Sequence, residues 1–341
     1  MKKTFINGLK VLFFLALGIF FIWLFMHNLT IEEKKEIYSS FKQANYFWIF
    51  VAFIFAVLSH ISRSLRWMIL LEPMGYIPSK KNAFLAVMIG YFANLALPRL
   101  GEITRCGILS KYEKIPIQKS FGTVITERGL DVIMLGLIFI VSFFIHFDKV
   151  RLFEESNLYK GIVENYKKIK NPDAILYTLI AIGLLLVFLF FKFRHKISHF
   201  RIYVKIKTIF FGFLEGLKSL VTIKKPFWFI FHTLFIWTMY LGMTWIIFFC
   251  LPETSHLNLG IGLAVLVFGS IAIVLIQGGI GIYPWIVAEI LTIFAIPATT
   301  GYAMGWLLWT GQTAMVIFGG LVSMVLLPLI NNKTYAKSGG N

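Results

Sequence analysis

Seven apolar runs recur along the 341 residues, at about 9–27, 46–71, 119–146, 174–192, 226–250, 258–276 and 300–329. A helix that crosses a bilayer needs roughly 20 apolar residues. Within the hydrocarbon, every backbone N–H and C=O must find its partner inside the spanning structure. Runs of this length and number therefore point to an all-α, polytopic integral membrane protein. Composition agrees, with 58% hydrophobic and 14% charged residues against about 45–50% and about 25% in soluble domains. The net charge of +17 would suit nucleic acid only if a soluble module gathered it on one face. Here the basic residues fall between apolar runs, which points to anionic lipid head groups and away from nucleic acid. Cys106 and Cys250 stand far apart without metal-ligand spacing, so neither a disulfide framework nor a zinc site is expected.

The first run follows Lys2, Lys3 and Lys10 and ends in Phe25-Met26-His27-Asn28. That ending offers no small-residue cleavage site, so the run reads as an uncleaved first span. Two shorter apolar stretches, 83–97 and 284–296, are bounded by Gly and Pro. Short interrupted segments in corresponding places of two halves are the usual pointer to a transport site. The expectation is about seven to eight transmembrane helices plus one or two short re-entrant or broken helices. They form a single domain over 1–332, followed by a short tail at 333–341.

Orientation follows the basic residues. The N-terminal lysines, the strongly basic 192–225 connection, and Lys333 with Lys337 place both termini in the cytoplasm, at the cytoplasmic membrane. The 28–45 and 148–173 connections balance acids against bases and suit the outside. Arg63, Arg66, Lys80 and Lys81 keep the end of the second span inside, and the run beginning near Lys119 also starts inside. The intervening segment must then enter and return on one face, which predicts a re-entrant dip with its tip near Asn94 to Arg99. Whether 284–296 crosses or forms a second dip stays open at this level. Residues 197–222 mix apolar and basic residues at helical spacing and read as an amphipathic helix on the lipid surface. A soluble charged loop is the alternative.

Against this apolar background, Arg99, Glu102, Arg105, Glu127, Arg128 and Asp131 stand out. An ionisable group near mid-bilayer costs about 2.5–3.5 kcal/mol even on lenient insertion scales, and such groups pair or line a cavity. With Pro98 at a helix start, Arg99, Glu102 and Arg105 would form a ladder along one side. An arginine beside free helical N–H groups suits a phosphate; the alternative is a bracing Arg–Glu–Arg network. Glu127 and Asp131, one turn apart beside Arg128, would pair with Arg99 or Arg105, or with Arg63 and Arg66, or else relay a cation. Pairing is the favoured reading because an unpaired buried charge is so costly. Arg63 is the better cavity candidate of the second span, while Arg66 is expected to snorkel to the head groups. Late in the chain, Gly278, Gly279 and Gly281 break a helix before Tyr283-Pro284, and Glu289 follows on the next short helix. Without a preceding strand or a P-loop lysine this run is not a nucleotide motif. No cofactor or metal site is expected.

The ordered motifs N-L-A-L-P-R-L-G-E-I-T-R at 94–105, E-R-G-L-D at 127–131 and the late G-G-I-G-I resemble the flippase-like family. That is the family of the lysylphosphatidylglycerol synthase transmembrane region, and the resemblance covers nearly the whole chain. It implies a helical membrane protein with re-entrant elements, whose best-understood members move an aminoacylated phospholipid between leaflets. Two departures stand out. The soluble aminoacyl-transferring domain of those synthases is absent, and Tyr283-Pro284 replaces a glutamate that many members place soon after the late glycines. The implied function is a non-enzymatic lipid translocase of the cytoplasmic membrane. Its substrate site would comprise Arg63, Asn94, Arg99, Glu102, Arg105, Glu127, Arg128, Asp131, Gly278, Gly279, Gly281 and Glu289. Its partner would be an anionic phospholipid or a polyprenyl-phosphate lipid. The alternatives are a scaffold or regulator of envelope synthesis and a membrane enzyme on a lipid-linked substrate.

Overall fold

The computed structural model describes residues 29–97, 99–147 and 222–338, with a few helical positions between 19 and 27. The expected spans at 9–27 and 174–192, the 148–173 connection and the amphipathic helix at 197–222 lie wholly or largely outside the described residues. Among the described residues every regular element is helical. They are α1 (Ile31–Gln43), α2 (Phe47–Leu71), α3 (Lys80–Ala96), α4 (Leu100–Glu113) and α5 (Ile117–Ile145) in the first half. The second half holds α6 (Pro226–Ile247), α7 (Leu259–Leu275), α8 (Ile282–Thr292) and α9 (Ala298–Ser338). Stretches long and apolar enough to cross a bilayer are Phe47–Met74, Ile117–Ile145, Pro226–Cys250 and Ala298–Asn331. The expected 258–276 span is instead the 17-residue α7, which rises about 25 Å against a hydrocarbon core of roughly 30 Å.

These helices are built inside out. On α2, Phe50, Ile54, Leu58 and Ile61 are exposed while Ser59, Ser62, Arg63 and Arg66 are buried. The three-to-four-residue spacing puts each set on its own face. A polar face turned inward and an apolar face turned outward is the pattern lipid demands. The α5 helix exposes Val132, Ile133, Leu137, Ile140 and Phe144 and buries Thr123, Thr126 and Glu127.

Between the long helices sit two hairpins. Helices α3 and α4 pack antiparallel: Asn82 meets Glu113, Gly90 meets Gly101, and Asn94 bonds Gly101. The turn is at Leu97–Arg99, where Arg99 takes φ +62°. A Cβ at Gly101 would overlap the Gly90 carbonyl oxygen, so only glycine permits this approach. Helices α7 and α8 double back in the same way, with Gly269 against Tyr283 and Gly279 against Ile273. Their turn runs through Gly278, Gly279 and Gly281 at φ +72°, +69° and +76°, conformations that glycine adopts without steric cost.

End-to-end contacts fix the direction of each helix. At one end Lys225 pairs with Glu72 at 3.0 Å, and Asn82 and Asn331 exchange side-chain amide hydrogen bonds at 3.0 and 2.9 Å. At the other end, the Asn45 amide donates to Cys250 O, His146 lies against Phe294 and Thr299 donates to Glu36. The α3–α4 hairpin therefore enters from the first end and α7–α8 from the second. Each half is a long helix, a hairpin and a long helix, and the two halves run in opposite directions. Packing partners exchange accordingly: α2 packs on α3 as α6 does on α7, α4 on α5 as α8 on α9, and α3 on α9 as α7 on α5, around a central α2–α6 pair. This is an inverted repeat.

Candidate functional site

The inward polar face of α2 meets the charged turn of α5. Arg63 donates through Nη1 to Glu127 Oε1 at 2.8 Å and Asp131 Oδ2 at 2.7 Å, and through Nη2 to the Tyr240 hydroxyl at 3.1 Å. Arg66 donates to Asp131 Oδ1 at 2.7 Å and lies 3.4 Å from Glu127 Oε1. From the α3–α4 hairpin, Arg105 Nη2 lies 3.0 Å from Glu127 Oε2, with its guanidinium over the Trp67 ring. Trp67 is fixed in turn by its Nε1 donating to Thr123. Glu127 is thus gripped by three arginines from two other helices. Nearer the cavity, Arg128 Nη2 pairs with Glu102 Oε1 at 3.1 Å.

Among the described residues, Arg63, Arg66, Arg105 and Arg128 face Glu102, Glu127 and Asp131, which leaves one positive charge in excess. Glu127 and Arg66 are fully buried. At low dielectric, attraction within such a group offsets the desolvation of its ions only while every member keeps its partner.

Beside this cluster lies a cavity of about 300 Å³, room for about ten waters, walled by all the long helices and by both hairpins. Arg63, Arg128 and Asp131 form its charged wall, and Tyr91, Trp237, Tyr240 and Tyr283 its aromatic one. Ser270, Thr244 and Gln312 supply small polar groups. Both hairpins reach it: Tyr91 stands a turn before the α3–α4 tip, and Ile273 and Tyr283 flank the α7–α8 tip.

The sequence candidates divide clearly. Arg63, Arg105, Glu127 and Asp131 come together in one network, with Glu102 and Arg128 paired at its edge. Asn94 works inside the hairpin, where its Oδ1 accepts from the Gly101 amide at 2.7 Å. Gly278, Gly279 and Gly281 shape the second tip, which Trp309 holds by donating to Gly278 O at 2.6 Å. Arg99 does not join. Helix α4 begins at Leu100, so Arg99 is the exposed residue ahead of it and makes no ion pair among the described residues. The expected Arg99–Glu102–Arg105 ladder does not form, because Glu102 and Arg105 both reach across to α5. Glu289 lies on α8 outside the cavity wall. Arg66 does not snorkel; a carboxylate pair within reach outweighs the distance to the head groups. Tyr91, Trp237, Tyr240 and Tyr283 were not singled out beforehand, since aromatic residues in apolar helices carry no signal of the wall they face.

Comparison with known proteins places this architecture. The model of the lysylphosphatidylglycerol synthase transmembrane region matches residues 9–320. A UPF0104 membrane protein of Methanocaldococcus jannaschii is 35% identical over 103 residues, covering 29% of this chain and 31% of that protein. Another, from Methanothermobacter thermautotrophicus, is 27% identical over 122 residues, covering 34% of this chain and 36% of its own length. The chain thus spans about a third of the curated relatives it matches. No solved structure matches. The family match takes in nearly every element described above, and the chain belongs to the lysylphosphatidylglycerol synthase transmembrane region family.

Proposed function

We propose that this protein is a lipid translocase of the cytoplasmic membrane, acting on an anionic head group without chemically altering it. The observation that carries this reading is the cavity, which lies between two hairpins entering from opposite ends and beside a cluster with one excess positive charge. Lys80, Lys81, Lys111, Lys114, Lys119, Lys224 and Lys225 gather at the end that holds Glu72 and Asn331, which makes that end cytoplasmic by the positive-inside rule. In that frame both hairpins are re-entrant, with irregular backbone at depth enclosed by protein, as the bilayer requires. An inverted repeat provides two related conformations, one open to each leaflet, as in secondary transporters built on such repeats. The head group would pass through the cavity while the acyl chains stay in lipid.

A second reading has its own support, because every carboxylate of the cluster finds an arginine. A self-satisfied network suits a rigid brace in a membrane scaffold. Reconstitution separates the two, with transfer of a labelled anionic phospholipid between leaflets measured for the wild type and Arg128→Gln. Arg128 is the most exposed of the four arginines, 37% at its side chain, so its loss leaves the buried core intact. A translocase loses most of its transfer rate at unchanged thermal stability. A scaffold shows no protein-dependent transfer in either form.

A further inference from the structure

The cavity wall is specific about what it lacks. Trp237 is buried and its Nε1 has no hydrogen-bond partner. Tyr283 is 5% exposed, and its hydroxyl makes no hydrogen bond among the described residues, nor does that of Tyr91 or the carboxamide of Gln312. All four line the same cavity. Thr244 and Ser270 have spent their hydroxyl protons on carbonyls of their own helices, at 3.0 and 2.7 Å. A buried donor without a partner costs about 1–3 kcal/mol; Trp237 Nε1 is such a donor in this wall, and so are the Nε groups of Arg63 and Arg128, which signals a missing acceptor.

The carboxylate of the wall is already occupied. Asp131 is the carboxylate in the lining, and it receives Arg66 on Oδ1 and Arg63 on Oδ2, each at 2.7 Å. An ammonium group entering the cavity would meet Arg63 and Arg128 and find no uncommitted carboxylate. We infer that the cavity binds a head group bearing a single negative charge and several acceptor oxygens, a phosphodiester lipid with a neutral hydroxylated head, and rejects one bearing an ammonium. This rests on the translocase reading and names the substrate class of the same site. Trp237, Tyr283, Tyr91 and Gln312 are then its specificity residues, while Arg63 and Arg128 supply the charge. Tyr283 keeps its place because Gly269 leaves room for its ring; a Cβ there would come within 2.6 Å of Tyr283 Cε2.

The test is native mass spectrometry of the full chain, offered equal amounts of phosphatidylglycerol and lysyl-phosphatidylglycerol. Phosphatidylglycerol adducts are expected in at least about tenfold excess. Tyr283→Phe, which keeps the ring and removes one donor, and Trp237→Phe, which removes the donor with part of the indole, should each lower that retention about two- to tenfold, the first with the unfolding temperature unchanged. Equal or greater retention of the lysyl lipid overturns the inference, as does retention that neither variant changes. Thermal protection by inorganic phosphate, with no selective lipid retention, would assign the site to a free anion and also overturn it. The broader reading fails separately. Selective retention without transfer in liposomes removes the translocase and leaves the site; transfer at equal rates for both lipids leaves the translocase and removes the selectivity.

Discussion

The two halves share a layout and differ in chemistry. Arg63, Arg66, Glu102, Arg105, Glu127, Arg128 and Asp131 all belong to α2–α5, whereas Pro226–Asn331 contains no lysine or arginine and only Glu253 and Glu289 as acids. The hairpins reflect this. The α3–α4 hairpin is tied by side chains: Asn94 to the Gly101 amide, Arg105 to Glu127, Glu102 to Arg128. The α7–α8 hairpin turns on three glycines, and Trp309 donates to its backbone at Gly278. One arm is anchored by charge. The other is shaped by backbone freedom, and it carries Tyr283 on the cavity wall. A pseudo-symmetric frame thus confines charge to one side of a cavity and places a turn shaped by glycine on the other.

The largest break in that comparison is Glu127→Gln. It strands Arg63, Arg66 and Arg105 around a neutral amide, and removing one partner of a buried ion pair costs about 3–5 kcal/mol. Expression and detergent-solubilised unfolding temperature should fall sharply. Next are the two tips. Gly101→Ala drives a methyl into the Gly90 carbonyl and should cost about 1–3 kcal/mol, as overpacking does. Gly278→Ala meets nothing within 4 Å and pays only for its positive φ, about 1–2 kcal/mol. Equal losses at the two tips would erase the distinction between a packed and a conformational turn. Asn331→Ala, which unties α9 from Asn82, should cost about 1–2 kcal/mol and increase hydrogen exchange at the α3 start more than at α7.

The smallest effect lies outside both halves. Thr30 and Glu33 close a capping box on α1, with the Thr30 amide donating to Glu33 Oε2 at 2.7 Å and the Glu33 amide to Thr30 Oγ1 at 3.2 Å. The hydrogen bond from the Thr30 amide holds the Glu33 carboxyl below the usual carboxylate range. A carboxyl depressed in the folded state stabilises the cap above its unfolded pKa and loses that contribution as pH falls through its folded value. Amide exchange in the first turn of α1, taken relative to the intrinsic rate at each pH, should therefore speed up on acidification in the wild type. In Thr30→Ala it should already be fast and change little.

Much of this was legible beforehand. The long helices, the interrupted segment near Asn94–Arg99 and the late glycine break followed from apolar run lengths and from Gly and Pro. The charged residues identified themselves by standing in apolar sequence. Their pairing was not legible in detail, because nothing local tells Arg66 and Arg105, which meet α5, from Arg99, which stands exposed ahead of α4. A shift of two residues in the start of α4, from Pro98 to Leu100, removed Arg99 from the ladder. The aromatic wall gave no signal, since Trp237 and Tyr283 are as ordinary in a lipid-facing helix as in a cavity.

Sequence by itself determined that this chain lives in a membrane, that its charges must be enclosed, and that two short segments cannot cross on their own. These follow from local free energies: the cost of unpaired backbone and of bare charge in hydrocarbon. Tertiary structure alone decided that the two halves run in opposite directions, that α2 and α5 share the ion pairs, and that the unpartnered Nε groups of Trp237 (Nε1), Arg63 and Arg128 converge on one cavity. Those are relations between helices distant in the chain, fixed by how faces pack across the bundle, and no local property of either partner encodes them.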